Sequence, residues 1–349
     1  MYTFVNDALT IEQKQTIFEN MSDGIITVSS DGTISYVNTA ASKILEIPSD
    51  SLLEQSFDDT LLANKKNKSF NHIFHQCLKR NRSTSREVVS YYIGNLVKYF
   101  RIKITLINQP EDDTPDYIFQ GMLVLIEDIT DKRNLRQHER DCAMLFAGIV
   151  MCITIYLSVW SLLRFTLHVP VRISTYTLMI ECMTLALFLV IVFFTSFSFK
   201  EVGIIPSRNK FLPHAKQTLA IAAFASAVLL ISKFILQLFD APVKSYYIGG
   251  SIHGAITYIF TALLQEFLAR GVLQTSVKTL MRVKYQIPIS ILLTSMLFSL
   301  MHLPFGFTFM MGTFVLSIAL GVLYEQQKSI WGCFFLHWSV GYLSMCLFF

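Results

Sequence analysis

Leu264-Gln265-Glu266-Phe267-Leu268-Ala269-Arg270 places a carboxylate and a guanidinium inside an otherwise apolar run. Their spacing of four puts Glu266 and Arg270 on one face of a helix, where they can pair. Charges at membrane depth are costly, pair with one another and usually mark function. His302 and His337, each inside a later apolar run, are the candidate partners. The stretch therefore predicts a polytopic helical bundle with a polar site in its interior.

The whole chain agrees with a membrane protein only on average. It has 349 residues, of which 15% are charged, and a mean hydropathy of +0.47, too apolar for an ordinary soluble protein. From Cys142 onward there are about 13 Lys/Arg against about 5 Asp/Glu, leaving roughly 16 against 20 upstream. The basic excess fits loop charges flanking membrane spans. No basic stripe with interleaved aromatics occurs, so no nucleic-acid partner is expected. The six cysteines, Cys77, Cys142, Cys152, Cys182, Cys333 and Cys346, form no CxxC. A disulfide framework or zinc cage is therefore not expected. Met1 to Thr10 lacks a basic region followed by an apolar one, so no signal peptide is expected and the soluble part should stay in the cytoplasm.

The first third reads as a small α+β unit. Residues 9–20 are polar and helix-compatible. Gly24-Ile25-Ile26-Thr27-Val28, the turn Ser30-Asp31-Gly32 and Thr33-Ile34-Ser35-Tyr36-Val37 form a hairpin signature. Asn38 can cap a helix over Thr39 to Leu45. Residues 64–71 read as a polar, Lys-rich loop. Arg86 to Ile93, Val97 to Ile107 and Tyr117 to Ile129 read as three further strands. Gly94-Asn95 joins the first two as a tight hairpin, and residues 110–115 form an acidic loop.

Asp23-Gly24-Ile25, Asp31-Gly32-Thr33-Ile34, Tyr36-Val37-Asn38-Thr39-Ala40-Ala41 and Glu127-Asp128-Ile129-Thr130-Asp131 together resemble a PAS domain, over roughly residues 10–131. The resemblance implies an antiparallel sheet with short helices, a sensory role and pairing into a homodimer. It also implies that the Asp-Ile-Thr ending passes a signal into a following helix, here 131–141. The Asn-Cys-Arg-Phe motif of flavin-binding PAS domains is absent, and the PAS ligand is not identifiable from the sequence. His72, His75 and Cys77 suggest a haem or metal, but their setting among Lys and Asn reads instead as a solvated helix face. His138-Glu139-Arg140 is similar to part of a histidine-kinase phosphoacceptor box, yet no ATP-binding boxes follow.

The remainder holds about seven apolar stretches: Cys142 to Leu163, Thr175 to Phe199, Thr218 to Phe239, Tyr247 to Val277, Ile287 to Leu303, Phe305 to Tyr324 and Ile330 to Phe349. Most meet the roughly 20 residues that a bilayer crossing needs. Lys132, Arg133, Arg136 and Arg140 precede the first, and the richer Lys/Arg loops alternate from there. This predicts a multi-pass protein of the inner (plasma) membrane with its N-terminal domain cytoplasmic. The expected domains are 1–130 for the sensor, 131–141 for a linker helix and 142–349 for the membrane bundle. Glu181 and Lys233, in other spans, are a candidate second internal pair.

Gln265-Glu266-x-x-x-Arg270, Phe298-x-x-x-His302 and His337-x-x-x-Gly341 fall in order on successive apolar stretches. This series resembles the CAAX protease and bacteriocin-processing (CPBP) family of intramembrane peptidases, over about residues 215–349. The family pattern is Glu-Glu-x-x-x-Arg, Phe-x-x-x-His and His-x-x-x-Asn or Asp. The resemblance implies a peptide or protein substrate in the membrane, His302 as a water-activating partner, His337 as an oxyanion donor and Glu266–Arg270 as a structural pair. The chain departs from the pattern twice. Gln265 stands where the first Glu would be, and an amide cannot take the proton that a carboxylate takes. Gly341 stands where an Asn or Asp would help to hold the oxyanion. Two functions follow: a PAS-regulated peptidase, or a non-catalytic receptor or scaffold on the same frame. The spacing requires no metal, since no HExxH occurs.

Overall fold

The computed structural model describes residues 10–110, 117–170, 172–206, 211–239 and 252–348. They fall into two compact units, Met1–Leu135 and Arg136–Phe349.

The first unit is a five-stranded antiparallel sheet in the order β2-β1-β5-β4-β3. Its strands are β1 (Gly24–Ser29), β2 (Ile34–Val37), β3 (Glu87–Ile93), β4 (Leu96–Pro110) and β5 (Tyr117–Asp128), with helices α1 (Ile11–Glu19), α2 (Thr39–Leu45) and α3 (Lys68–Arg80). This is the PAS fold. Strand side chains alternate between faces, so Phe100, Ile102 and Ile104 all point into the core. Aromatic rings fill it: Phe70 lies 4.8 Å from Phe74 and 5.0 Å from Tyr91, and Tyr91 stacks 5.0 Å from Phe100. The expected Gly94-Asn95 turn closes β3 on β4 through the pair Ile93–Leu96. Gly94 takes φ 59° there, a conformation that a side chain would strain.

Asn38 does more than cap α2. Its Oδ1 accepts from Ala41 N and Ile25 N, both at 2.8 Å, and its Nδ2 donates to Phe18 O and Asp23 O. One buried amide thus ties the end of α1, the start of β1 and the start of α2. Glu19 adds a second tie, accepting from the Tyr36 hydroxyl at 2.7 Å and from Thr39 N at 3.0 Å. These donors, Tyr36 first, hold the Glu19 carboxyl below its ordinary 4.5. Burial, and then the bond to Glu19, push the Tyr36 hydroxyl up to about 12.

Two expectations for this unit are corrected. The loop expected at 64–71 ends early, because α3 begins at Lys68. Its Asn residues satisfy backbone groups instead of meeting solvent: Asn67 Oδ1 accepts from Tyr92 N and Asn71 Nδ2 donates to Leu62 O, both at 2.7 Å. His72 and His75 are exposed as expected, but Cys77 on the same helix is buried and its thiol donates to Arg82 O. The acidic residues 111–115 and the start of the apolar stretch at Tyr247 lie outside the described residues.

The second unit is a helical membrane bundle: α4 (Thr130–Ser161), α5 (Ile173–Phe194), α6 (Phe211–Leu238), α7 (Ile252–Glu266), α8 (Thr275–Leu280), α9 (Gln286–Leu300), α10 (Phe307–Gln327) and α11 (Ile330–Phe348). A π-helical stretch, Phe267–Gln274, joins α7 to α8 without a break. Among the described residues six helices are long and apolar enough to cross a membrane, and α9 is a shorter apolar seventh. The helix expected at 131–141 and the first apolar stretch form a single 32-residue α4. The third is already helical at Phe211, ahead of the expected Thr218.

Asn38→Ala removes four hydrogen bonds and leaves buried backbone groups unpaired. Opening of the sheet should cost about 2–4 kcal/mol less, read as faster hydrogen exchange at the β1 and β5 amides of the intact protein. A carboxyl lowered in the fold stabilises it above the unfolded pKa and loses that contribution as pH falls through the folded one. Acidification below 4.5 should therefore release Glu19 from Tyr36 and Thr39. The Thr39 amide should then exchange faster in NMR spectra, while the Ala41 amide, held by Asn38, stays protected.

Candidate functional site

All eight residues of Phe267–Gln274 are buried, so this part of the chain faces protein on every side. Gly271 makes that possible on one side, because a Cβ there would meet the backbone of Val202. Arg270 and Glu266 are both fully buried (0% exposed). They pair as the spacing predicts, Arg270 Nε donating to Glu266 Oε2 at 3.2 Å. The other guanidinium nitrogens donate to Ser317 Oγ at 2.5 Å and Gln274 Oε1 at 3.3 Å. Gly321 on α10 leaves the space they occupy, since a Cβ there would meet Arg270 Nη1 and Gln274 Oε1. Gln274 Nε2 in turn donates to Gly321 O and Glu325 Oε1, and Glu325 is held by Lys278 and Lys328.

The second oxygen of Glu266 turns to α11. Glu266 Oε1 lies 2.8 Å from His337 Nδ1, and a carboxylate accepts, so Nδ1 carries the proton. The Nε2 of His337 then donates only when the ring is imidazolium. Position 341, one turn on, is filled by another residue. A Cβ at Gly341 would come within 2.7 Å of the Tyr258 hydroxyl. The Tyr258 ring also meets His337 edge-on at 5.8 Å. Among the described residues, this hydroxyl has no hydrogen-bond partner.

Gln265 points elsewhere, because adjacent helix positions diverge by about 100°. It lines a small cavity of about 40 Å³ between α4, α5, α7 and α9, together with Thr184, Phe298 and His302. His302 stands at the end of α9, where Gly306, at φ 114°, starts the turn into α10. His302 Nδ1 lies 2.9 Å from Phe298 O, so it donates and leaves Nε2 as a bare lone pair. The ring packs on Phe298 at 4.9 Å and on Phe309 at 5.8 Å.

The five residues singled out in sequence thus separate into two groups. Glu266, Arg270 and His337 form one connected network, while Gln265 and His302 share the cavity. Phe298 touches both histidines, His302 at 4.9 Å and His337 at 5.7 Å. The candidate pair Glu181–Lys233 does not form. Lys233 Nζ donates to Leu347 O, and Glu181 accepts from the Thr261 hydroxyl. Tyr258 escaped sequence reading, although its spacing of seven and eight before Gln265 and Glu266 returns it to the same side of α7.

Residues 249–343 match the family described as type II CAAX prenyl endopeptidase Rce1-like, and residues 12–116 match the PAS fold. Among solved structures, the chain is similar to the PAS domain of a protein from Colwellia psychrerythraea, at 14% identity and a TM-score of 0.28, covering 35% of this chain and 98% of that one. It is likewise similar to the PAS domain of nitrogen regulation protein NR(II) from Vibrio parahaemolyticus, at 16% identity and a TM-score of 0.25, covering 33% and 97%. A search of curated proteins returns no match.

Arg270→Met leaves Glu266 as a buried charge with too few partners and should cost about 3–5 kcal/mol. The paired change Arg270→Met with Glu266→Gln should recover part of that loss, and Arg270→Lys should not, because an ammonium cannot span Glu266, Ser317 and Gln274. Thermal unfolding in detergent of the three variants measures both effects.

Proposed function

The chain carries a PAS domain followed by an Rce1-like CAAX-protease family domain, and from that premise we propose a PAS-regulated integral membrane protein that binds membrane-associated peptides or proteins at the Gln265–His302 cavity. One observation carries this reading. Gln265 and His302 come together on a cavity in the bundle, while Glu266 is turned away and fully engaged by Arg270 and His337.

The reaction class that fits is peptide-bond hydrolysis. The bare Nε2 of His302 is the water-activating base. His337, when its ring carries both protons, and the hydroxyl of Tyr258 are donors for the oxyanion. Glu266 and Arg270 hold His337 in place and do not touch the reacting atoms. The second reading, a receptor or scaffold that binds without cutting, is favoured by Gln265, whose amide takes no proton. In either case the sensor acts on the bundle through residues 131–141. The unbroken helix α4, with no flexible Gly/Ser linker, supports that route. The Lys/Arg-rich segments support a cytoplasmic N-terminal domain on the inner (plasma) membrane, and PAS pairing supports a homodimer.

Proteolysis in lipid nanodiscs, on a membrane-peptide library, separates the readings. Cleavage by the native chain that falls at least about 100-fold in His302→Ala and His337→Ala supports the peptidase. Silence in the native chain, with cleavage appearing in Gln265→Glu, supports the pseudoenzyme. Tyr258→Phe should lower kcat by about 10–100-fold with KM held, if its hydroxyl serves the oxyanion. Insertion of flexible residues after Asp131 should uncouple the response from the sensor; an unchanged response would refute the route through α4.

A further inference from the structure

Three carboxylates lie in the described helices α5 to α11: Glu181, Glu266 and Glu325. Two are neutralised, Glu266 by Arg270 and His337 and Glu325 by Lys278 and Lys328. Glu181, on α5, has no cation partner among the described residues. Its one side-chain bond is neutral: Thr261 Oγ1 donates to Glu181 Oε1 at 2.7 Å. An ionisable group at membrane depth is expensive, and a structural role would be better served by a pair or by an amide.

The position of that bond is informative. Thr261 lies four residues before Gln265 on α7, one turn away on the same face. Thr184 lies three residues after Glu181 on α5, again one turn away. Gln265 and Thr184 both line the cavity that holds His302. Glu181 and Thr261 thus each lie one turn from a cavity residue on their own helix, at the junction where α5 packs on α7. The α5 helix also packs on the turn Leu303–Phe305 that follows His302.

We propose that Glu181 supplies this cavity with the ionisable carboxylate that position 265 lacks, taking the proton from the water that attacks the bound peptide bond. The inference rests on the peptidase reading above and deepens it. One water is consumed: its oxygen bonds to the carbonyl carbon, and its proton passes to the Glu181 carboxylate, directly or through His302 Nε2. The carbon–nitrogen bond then breaks, and the proton moves on to the departing nitrogen, which regenerates Glu181. A hydrogen bond from Thr261 orients the carboxylate without neutralising its charge.

The test uses the full chain in nanodiscs and two readouts. In the first, Glu181→Gln should lower kcat by at least about 100-fold with KM held, and the double variant Glu181→Gln, Gln265→Glu should regain activity. Cleavage by Glu181→Gln at the native rate, with His302→Ala inactive, would overturn the role of Glu181 and leave the peptidase reading intact. Loss in Glu181→Gln with no recovery in the double variant, together with a Glu181→Asp variant that is equally inactive and unfolds at lower temperature, would assign Glu181 a structural role and overturn the proposal. The second readout needs no turnover. A membrane-permeant carbodiimide adds to carboxyl groups that no cation holds, and should modify Glu181 but not Glu266, as located by mass spectrometry of the digested protein. A saturating hydrophobic peptide aldehyde should protect Glu181; modification at an undiminished rate would place it outside the binding cavity and overturn the proposal whether or not cleavage is seen.

Discussion

The membrane bundle depends on neutralising one guanidinium that water does not reach. Moving an ion of that size from water into a low-dielectric interior costs several kcal/mol even after relaxation. The chain offsets the cost by surrounding Arg270 with a carboxylate, a hydroxyl and an amide oxygen from two helical segments. Each of those partners is itself anchored. Glu266 reaches α11 through His337, and Gln274 reaches α10 through Gly321 O and Glu325. The result is one polar path from His337 to Lys278 through an otherwise apolar bundle. It fixes the relative positions of α7, α10 and α11 more narrowly than apolar packing would, since hydrocarbon side chains gain little by preferring each other over lipid.

That demand on Glu266 explains how the site divides. A carboxylate whose two oxygens are taken by a guanidinium and an imidazole has none left to turn to the cavity. The neighbouring position must therefore provide whatever the cavity needs, and here it provides an amide. Helix geometry alone keeps the two apart, because Gln265 and Glu266 face different directions about the axis of α7. The group that holds the helices together is a carboxylate, and the group that faces the cavity is an amide. Support and cavity lining fall to adjacent residues.

Much of this was legible in the sequence, because it depends on spacing. The pairing of Glu266 with Arg270 follows from a separation of four, and the cap at Asn38 and the turn at Gly94 follow from local backbone chemistry. Other features depend on which helices meet, and no local pattern reports that. Tyr258 fills the space beside Gly341 only because α7 and α11 pack side by side. Glu181 bonds Thr261, and not Lys233, for the same reason: α5 lies on α7. The polar run at 64–71 misled because Asn67 and Asn71 resemble loop residues in composition, while their amides serve backbone groups far along the chain.

The short helix α9 has a consequence for the lipid around it. Its 15 residues rise about 22 Å at 1.5 Å each, against a hydrocarbon core of about 30 Å. The chain then turns at residues 301–306 and enters α10, so His302 lies on the turn of a hairpin shorter than that core is thick. Lipid beside a short hairpin compresses or tilts to meet it. Headgroups and their water would then come closer to the end of α9. Bilayer thickness then becomes a variable of the site in its own right: a thinner membrane brings water nearer to His302, and a thicker one removes it.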